Sequence, residues 1–286
     1  MTGWLIVNSF MDNDKFNGLY HLLDDAFKKR NVTLLIKRAA DISLEVGTIR
    51  KDHPDFAIFW DKDIYLAERL ERSGIRLFNK AKSILLCDNK ILMYEALKEA
   101  NIRIPKTFIA PKTFEGLGYT NLTFLEEIKK EISYPFVLKE AYGSFGEQVY
   151  LVHSDEQFKE VVDRIGYKDF LIQEYIASSK GKDVRINVIG NKAIVSMLRE
   201  NINDFRSNIS SGGTGKKYEP KQSFIDLAVK ASDVLDLDFA GVDVMFDKDD
   251  EPIICELNSN PQFASTLNAT GINLADYIAD YIINSL

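Results

Sequence analysis

The chain has 286 residues, of which 45% are hydrophobic and 28% are charged, and its formal net charge is −7. This composition supports one large core or two to three smaller ones and argues against disorder. An acidic balance argues against general nucleic-acid binding, and the sequence shows neither a bilayer-spanning apolar run nor the pattern of a secretory signal. We therefore expect a cytoplasmic protein that binds neither nucleic acid nor a membrane.

Residues 1–85 alternate short apolar strands with amphipathic helices. The predicted strands and helices lie at 4–7 (strand), 19–27 (helix), 32–36 and 56–60 (strands), 64–70 (helix) and 75–78 (strand). This alternation predicts a parallel sheet with short crossovers. Because no GxGxxG follows the first strand, a dinucleotide-binding domain is not expected.

Residues 86–176 have α+β character. Helices are predicted at 89–100, 122–132 and 155–165, and strands at 108–110, 136–140, 149–152 and 170–174. The strand at 136–140 carries Lys139 and leads into a turn of small residues that contains Gly143, Ser144 and Gly146. The backbone N–H groups of such a turn can hold phosphate oxygens, with the lysine as a point charge. The alternative is an ordinary turn, since GxxxxGK[ST] is absent.

The strand at 170–174 offers a second nucleotide contact. It runs into irregular chain at Tyr175 and Ile176, and Asp183 follows closely. A strand edge presents a backbone donor and acceptor that suit adenine, and an acidic residue can hold ribose hydroxyls. The alternative is a core strand followed by a turn.

Residues 177–286 begin with strands at 183–189 and 192–197, and a polar, glycine-rich stretch follows at 203–217. A loop of this length is usually functional or disordered. Arg206, Lys216 and Lys217 suit an anion there, and a mobile surface loop is the alternative. Helices at 223–235 and 274–284 flank a β-hairpin.

The hairpin at 241–258 brings acidic side chains together. Reflection about its turn places Asp243 opposite Glu256, and strand alternation puts Asn258 on the same face as Glu256. The other face is then apolar, with Val242, Val244, Phe246, Ile253, Cys255 and Leu257. Facing carboxylates repel each other, and a divalent cation removes the conflict, so these oxygen ligands suit magnesium shared with substrate phosphates. The alternative is a solvated hairpin with its charges outward.

Taken in order, these blocks resemble the ATP-grasp superfamily and, within it, the RimK-like amino-acid (glutamate) ligases. The matching blocks are 78–79, 87–90, 137–139, 143–146, 173–176, 182–185, 204–208 with 212–213, 240–243 and 256–261. The resemblance implies an ATP-grasp fold with three domains: an N-terminal Rossmann-like (pre-ATP-grasp) domain at 1–85, a central α+β lid domain at 86–176, and a C-terminal α+β domain with the metal site at 177–286.

The resemblance also implies roles for single residues. The nucleotide-binding residues are Lys90, Lys139, Gly143, Ser144, Gly146, Gln173, Glu174, Tyr175, Ile176, Asp183, Arg206 and Asn208. Of these, Lys139 and Arg206 are the catalytic candidates. One or two Mg²⁺ ions, with Mn²⁺ as an alternative, are assigned to Asp243, Glu256 and Asn258.

Two positions depart from the family pattern. Asn89-Lys90 stands where the family often has Asp-Lys, and Gly146 is followed by Glu147-Gln148, where another glycine is common. A carboxylate beside phosphates is unfavourable unless it turns outward or meets a metal or a lysine.

The implied activity is that of an ATP-dependent carboxylate–amine ligase that works through an acyl phosphate. It would add an amino acid such as glutamate to a peptide, a protein tail or a small amino-acid-like acceptor. Arg185 and Arg199 are candidates for a substrate carboxylate, or are paired structurally with acidic neighbours. The alternatives are a non-catalytic ATP-binding protein and a small-molecule kinase on the same fold. A homodimer or homotetramer is a further expectation.

Overall fold

The chain folds around three β-sheets, each built from one continuous stretch of sequence. The computed structural model describes residues 1–11, 13–42, 45–47 and 53–286. Within these ranges, no helix is long and apolar enough to cross a membrane. Parallel and antiparallel sheets occur together, which confirms the predicted α+β / α/β class.

The first sheet is parallel, as predicted. Its strands are β1 (Thr2–Val7), β2 (Thr33–Arg38), β3 (Phe56–Trp60) and β4 (Leu77–Phe78), in the order β2-β1-β3-β4. Helix α1 (Asp14–Lys28) joins β1 to β2, and helix α2 (Ile64–Arg72) joins β3 to β4. All residues of β3 are buried, because both faces of the sheet are covered. Because β1 and β3 are parallel neighbours, their carboxyl ends lie at the same edge of the sheet, where Asn8 and Asp61 follow them.

Two short helices lead out of this sheet, α3 (Ala81–Asp88) and α4 (Lys90–Glu99). The pattern predicted only the second of them. Asn89 separates them and caps α4, since its side-chain oxygen accepts from the N–H groups of Ile91 and Leu92 at 3.0 and 3.2 Å. Lys90 consequently lies in the first turn of α4.

The second sheet is antiparallel, in the order β5-β8-β6-β7. Its strands and helices are β5 (Thr107–Ile109), α5 (Thr123–Lys129), β6 (Phe136–Glu140), β7 (Val149–Val152), α6 (Asp155–Ile165) and β8 (Phe170–Glu174). Phe136, Leu138 and Ile172 face a core beneath the helices. Strand alternation turns Lys139 and Gln173 to the opposite face.

The third sheet is also antiparallel, in the order β11-β10-β9-β12-β13. Its strands are β9 (Lys182–Ile189), β10 (Lys192–Glu200), β11 (Thr214–Lys217), β12 (Phe239–Phe246) and β13 (Pro252–Asn258), and α7 (Gln222–Val234) packs against it. Strand β11 belongs to the stretch that was predicted as a polar loop. Its residues are mostly exposed at the sheet edge, so no apolar alternation marks it in the sequence.

The chain ends with α8 (Ala264–Thr270), which the pattern did not predict, and α9 (Leu274–Ser285), which it did. Helix α9 returns to the first sheet and shares a core with α1. Arg30, just after α1, connects the two helices. Its guanidinium donates to Asp276 at 3.2 Å and to Asp280 at 2.6 and 2.8 Å. The first and last parts of the chain are thus packed together.

Candidate active site

Two adjoining cavities of about 370 and 100 Å³ lie between the sheets. They share Arg199, Asn208 and Glu256 in their walls and form one cleft. The predicted residues that line the larger cavity are Lys90, Gly143, Ser144, Asn208, Glu256 and Asn258. The predicted residues that line the smaller one are Lys139, Gly146, Gln173, Glu174, Tyr175, Ile176, Asp183, Arg206, Asn208, Asp243 and Glu256. The fold thus brings all the candidate residues together, while their roles stay predictions.

The hairpin of β12 and β13 has the predicted register at its acidic end. Asp243 pairs with Glu256, but Val244 pairs with Ile254, so a bulge leaves Cys255 without a partner. Ile254 enters the core, and Cys255 lines the smaller cavity beside Glu256. The prediction that Cys255 lies on the core face was therefore wrong, because an extra residue in one strand reverses the alternation beyond it.

Two buried lysines reach the cleft from different elements. The ammonium of Lys139, on β6, donates to the Tyr94 hydroxyl at 2.9 Å, and that hydroxyl donates to the Cys255 carbonyl. The ammonium of Lys90 donates to the Gly143 carbonyl at 3.1 Å. Burial lowers the pKa of Lys90, and Lys139 lowers it further, while Glu256 opposes the shift. Tyr94, which ties a lysine to the hairpin, had no signal in the sequence beyond its place on a helix.

The turn at 141–148 folds over the cleft as a compact loop. The Gln148 side-chain oxygen accepts from the Ser144 N–H at 3.1 Å, and a Cβ on Gly143 would lie only 2.4 Å from that oxygen. Arg206 donates to the Gly146 carbonyl at 2.5 Å from the opposite side. Glu147 is exposed, so its carboxylate turns outward. The departure from the family pattern at Gln148 is thus an internal brace of the loop, which the sequence analysis did not identify.

The arginine candidates are engaged by buried aspartates. Arg199 makes two hydrogen bonds to Asp183, at 2.7 and 2.5 Å, and lies 2.9 Å from Asp243. Arg185 makes two hydrogen bonds to Asp243. Although burial alone raises the pKa of Asp243, the two guanidinium groups hold it below its ordinary value. Of the two readings of these arginines, the structure shows the pairing with acidic neighbours.

The end of β8 is held by hydrogen bonds to Lys106 and Thr107, at the start of β5. The Glu174 carboxylate accepts from the Lys106 N–H at 2.7 Å, and the Gln173 amide donates to the Thr107 hydroxyl at 2.9 Å. Both side chains are therefore held by residues at the start of β5. Glu174, Tyr175 and Ile176 line the smaller cavity, and the Glu174 N–H donates to the Lys106 carbonyl at 2.9 Å.

The hairpin oxygens suit a metal that is shared with phosphates. Among the described residues, no three His, Cys, Asp or Glu side chains are grouped to hold a metal alone. Asp243 is neutralised by its arginines, and the Asn258 amide donates to the Gly241 carbonyl and to Glu256 at 3.4 and 3.5 Å. The Asn258 amide oxygen and the Glu256 carboxylate are therefore the oxygens that remain available to bind a metal. Mg²⁺ accepts such a sparse set, since it completes its octahedron with phosphate and water oxygens.

Sequence comparison finds a family profile and relatives that match most of the chain. A profile of the RimK-like ATP-grasp domain matches residues 87–282. An uncharacterised protein of Mycoplasma pneumoniae is 32% identical over 258 residues, 89% of each chain. Human N-acetylaspartylglutamate synthase A is 31% identical over 228 residues, which are 79% of this chain and 57% of the human protein. The alpha-aminoadipate–LysW ligase LysX of Saccharolobus solfataricus is 27% identical over 270 residues, 86% of this chain and 94% of that ligase.

Solved structures share the whole fold. A RimK domain ATP-grasp protein from Sphaerobacter thermophilus superposes with a TM-score of 0.76 at 20% identity, over 98% of this chain and 99% of that one. D-alanine–D-alanine ligase from Bacillus anthracis superposes with a TM-score of 0.74 at 17% identity, over 99% and 96%. The ATP-grasp ligase PsnB, in complex with its minimal precursor, Mg and ADP, superposes with a TM-score of 0.71 at 14% identity, over 98% and 96%. The expected ATP-grasp fold is confirmed, and the chain belongs to the RimK-like ATP-grasp family of ligases.

Proposed function

We propose that this protein is an ATP-dependent carboxylate–amine ligase that forms an amide through an acyl phosphate. The observation that carries the proposal is the convergence of two buried lysines, Arg206 and the Glu256–Asn258 oxygens on one cleft beneath a braced loop. Positive groups and a shared Mg²⁺ site are what phosphoryl transfer needs, because the reaction depends on positioning and charge neutralisation.

The two cavities of the cleft bind different substrates. The smaller cavity, which is lined by Glu174, Tyr175 and Ile176, binds adenine and ribose. Lys90 and Lys139 bind the phosphates. Glu256 and Asn258 would hold Mg²⁺, which would neutralise phosphate charge, and Asp243 lies beside them with its carboxylate bound to Arg185 and Arg199. The larger cavity, next to the Gly143 to Gly146 loop, takes the acid and the amine. A covered site has a purpose, since water would hydrolyse an acyl phosphate.

In the first step, a carboxylate oxygen of the acid attacks the γ-phosphorus and ADP leaves. In the second step, the amine attacks the acyl carbon, loses a proton, and releases inorganic phosphate. Arg206, whose guanidinium is already aimed at the loop, stabilises the negative charge that develops on oxygen. The named relatives support an amino-acid substrate such as glutamate, with a peptide, protein tail or small molecule as the acceptor.

The test combines purified protein, ATP and Mg²⁺ with pools of amino acids and short peptides, and follows ADP release and product mass. We expect ADP and a product heavier by one condensed amino acid. A stable phosphorylated product would instead indicate a kinase, and nucleotide binding without ADP release would indicate a binding protein.

The matched variants are Glu256→Gln, in the cleft, and Glu251→Gln, exposed in the turn of the same hairpin. We expect the first to lower turnover at least about 100-fold, because it removes an ionised metal ligand. The second should retain wild-type turnover. Normal turnover by Glu256→Gln would contradict the metal assignment.

A further inference from the structure

One corner of the larger cavity carries polar groups that the proposed chemistry does not use. The corner lies at the carboxyl ends of β1 and β3, where Asn8 and Asp61 follow the strands. Asn260, from the segment after β13, closes it by donating to the Asp61 carbonyl at 3.0 Å. The corner is thus assembled from the first and third sheets together.

Asp61 is the charged group of this corner, and only 6% of the residue is exposed. Its Oδ1 accepts from the Asn8 amide at 3.0 Å and from the Lys62 N–H at 2.7 Å. Its Oδ2 has no hydrogen bond or ion pair within the described ranges. The Lys62 ammonium is directed elsewhere, to Asp88 and to the Ser144 hydroxyl. The carboxylate is therefore held in place with one oxygen left for a donor.

Neutral polar groups in the walls of the same cavity also lack partners. In the described part of the chain, the side-chain oxygens of Asn260 and Gln262 are buried and have no donor. The indole N–H of Trp60, which directly precedes Asp61, is buried and has no acceptor. Buried polar groups without partners cost free energy, so three such groups lining one cavity with Asp61 point to a ligand.

We propose that Asp61 binds the ammonium group of an amino-acid substrate. An ammonium has three N–H donors and no acceptor, which matches a carboxylate beside the amide oxygens of Asn260 and Gln262. The Trp60 N–H then suits a carboxylate or carbonyl oxygen of the same molecule. The inference rests on the proposed function, because it names a substrate group for that cleft. A substrate without the ammonium is rejected, since it leaves a buried carboxylate unpaired.

The test is calorimetric titration of the full chain, with ADP and Mg²⁺ present, by each of the twenty amino acids. Those that bind are compared with their des-amino analogues, for example glutamate with glutarate. We expect at least one amino acid to bind about 10- to 100-fold more tightly than its analogue, as a buried charge-assisted hydrogen bond allows. Asp61→Asn should weaken that amino acid by the same factor and leave the analogue unchanged.

The variant keeps the shape of the corner, because the Asn side-chain oxygen still accepts from Asn8 and from the Lys62 N–H. The control is Asp55→Asn, which makes the same charge change at the exposed amino end of β3, where Asp55 accepts from the Thr2 N–H. It should bind like the wild type. Wild-type affinity in Asp61→Asn, or no amino acid that binds better than its analogue, overturns the proposal.

The two proposals fail in different ways. A protein that binds an amino acid through Asp61 but consumes no ATP with any acceptor keeps the ammonium site and loses the ligase activity. If the protein forms an amide and Asp61→Asn leaves the KM for the amino acid unchanged, the ligase proposal stands and the ammonium site is contradicted.

Discussion

At the scale of single residues, the cleft balances buried charges against one another. Lys90 and Lys139 are each 6% exposed, and Glu256 is a counter-charge to both. Buried ionised groups persist when they are paired, and Glu256 favours the charged form of both lysines, although burial outweighs it at Lys90 and lowers the pKa of that group. Under the proposed function, the triphosphate of ATP would add the negative charge that offsets these two lysines.

Lys139→Met should weaken ATP binding about 10- to 100-fold, because it removes a charged phosphate contact and keeps the aliphatic length. Titration calorimetry with ATP measures this, with far-ultraviolet circular dichroism as the check on folding. Lys130→Met, at an exposed lysine whose partner is Glu127, should bind ATP as the wild type does. Equal affinity in the two variants would remove Lys139 from the phosphate site.

Asp238 makes a pH-dependent contribution to stability. Burial raises its pKa to about 6, although the Tyr281 hydroxyl donates to it at 3.0 Å. Its ordinary pKa is about 3.9, so between these values the native state binds the proton more tightly than the unfolded state does. The stabilisation is complete below about pH 4 and is lost as the pH rises through 6.

Asp238→Asn should therefore be more stable than the wild type above pH 6, with a difference in unfolding free energy that shrinks toward pH 4. The amide oxygen still accepts from Tyr281, so the hydrogen bond is retained. Urea unfolding of both proteins at intervals between pH 4 and 8 measures the difference. A difference that does not vary with pH would contradict the assignment.

At the scale of elements, the loop at 141–148 depends on backbone conformations that few side chains allow. Gly143 has φ 153° and lies against Gln148, and Gly146 has φ 77° beneath Arg206 and Asn208. The loop connects β6 to β7, so its shape places the Lys139 strand and the cover of the cleft in one unit. A change in its conformation should affect ligands before it affects the core.

Gly143→Ala should raise the KM for ATP several-fold, because the new Cβ displaces the Gln148 brace that holds the Ser144 N–H. Steady-state kinetics on the amide-forming reaction measures this. Gly166→Ala is the matched control, since Gly166 also has positive φ, 74°, but a Cβ there meets nothing within 4 Å. Both variants also carry backbone strain, because both positions have a positive φ that residues with a Cβ rarely adopt. A raised KM only in Gly143→Ala separates the brace from the strain.

At the scale of the whole molecule, the last helix closes the structure on the first sheet. The residues of α9 that are buried are Leu274, Ala275, Ile278, Ala279 and Ile282. They share one core with α1, β1 and β3, and the same core reaches Phe239 on β12. The first and third sheets are thereby fixed to each other, and with them the corner that contains Asp61 and Asn260.

Ile278→Ala should lower the free energy of unfolding by about 2–4 kcal/mol, because it empties a fully enclosed position. Tyr277→Ala, at the exposed neighbour on the same helix, should change it by about 0.5 kcal/mol or less. Denaturant unfolding of both variants gives the comparison. Similar losses at the two positions would mean that the helix is not held by its buried face.

Much of this architecture could be predicted from local patterns. Short apolar runs located β3, β6, β7 and β8 to the residue, and reflection about a turn placed Asp243 opposite Glu256. The candidate cleft residues follow from family blocks whose order is preserved along the chain. Helices α3 and α8 escaped prediction because they are short and carry weak apolar periodicity.

Most of the strands and helices, the acidic hairpin and the family could be predicted from the sequence, because periodicity and motif spacing are local properties of the chain. Three features could be seen only in the folded chain: Cys255 leaves the core, buried aspartates hold Arg185 and Arg199, and Asp61 contacts Asn260. These features depend on a bulge and on contacts between residues far apart in the sequence, and the order of residues along the chain does not give the distances between them.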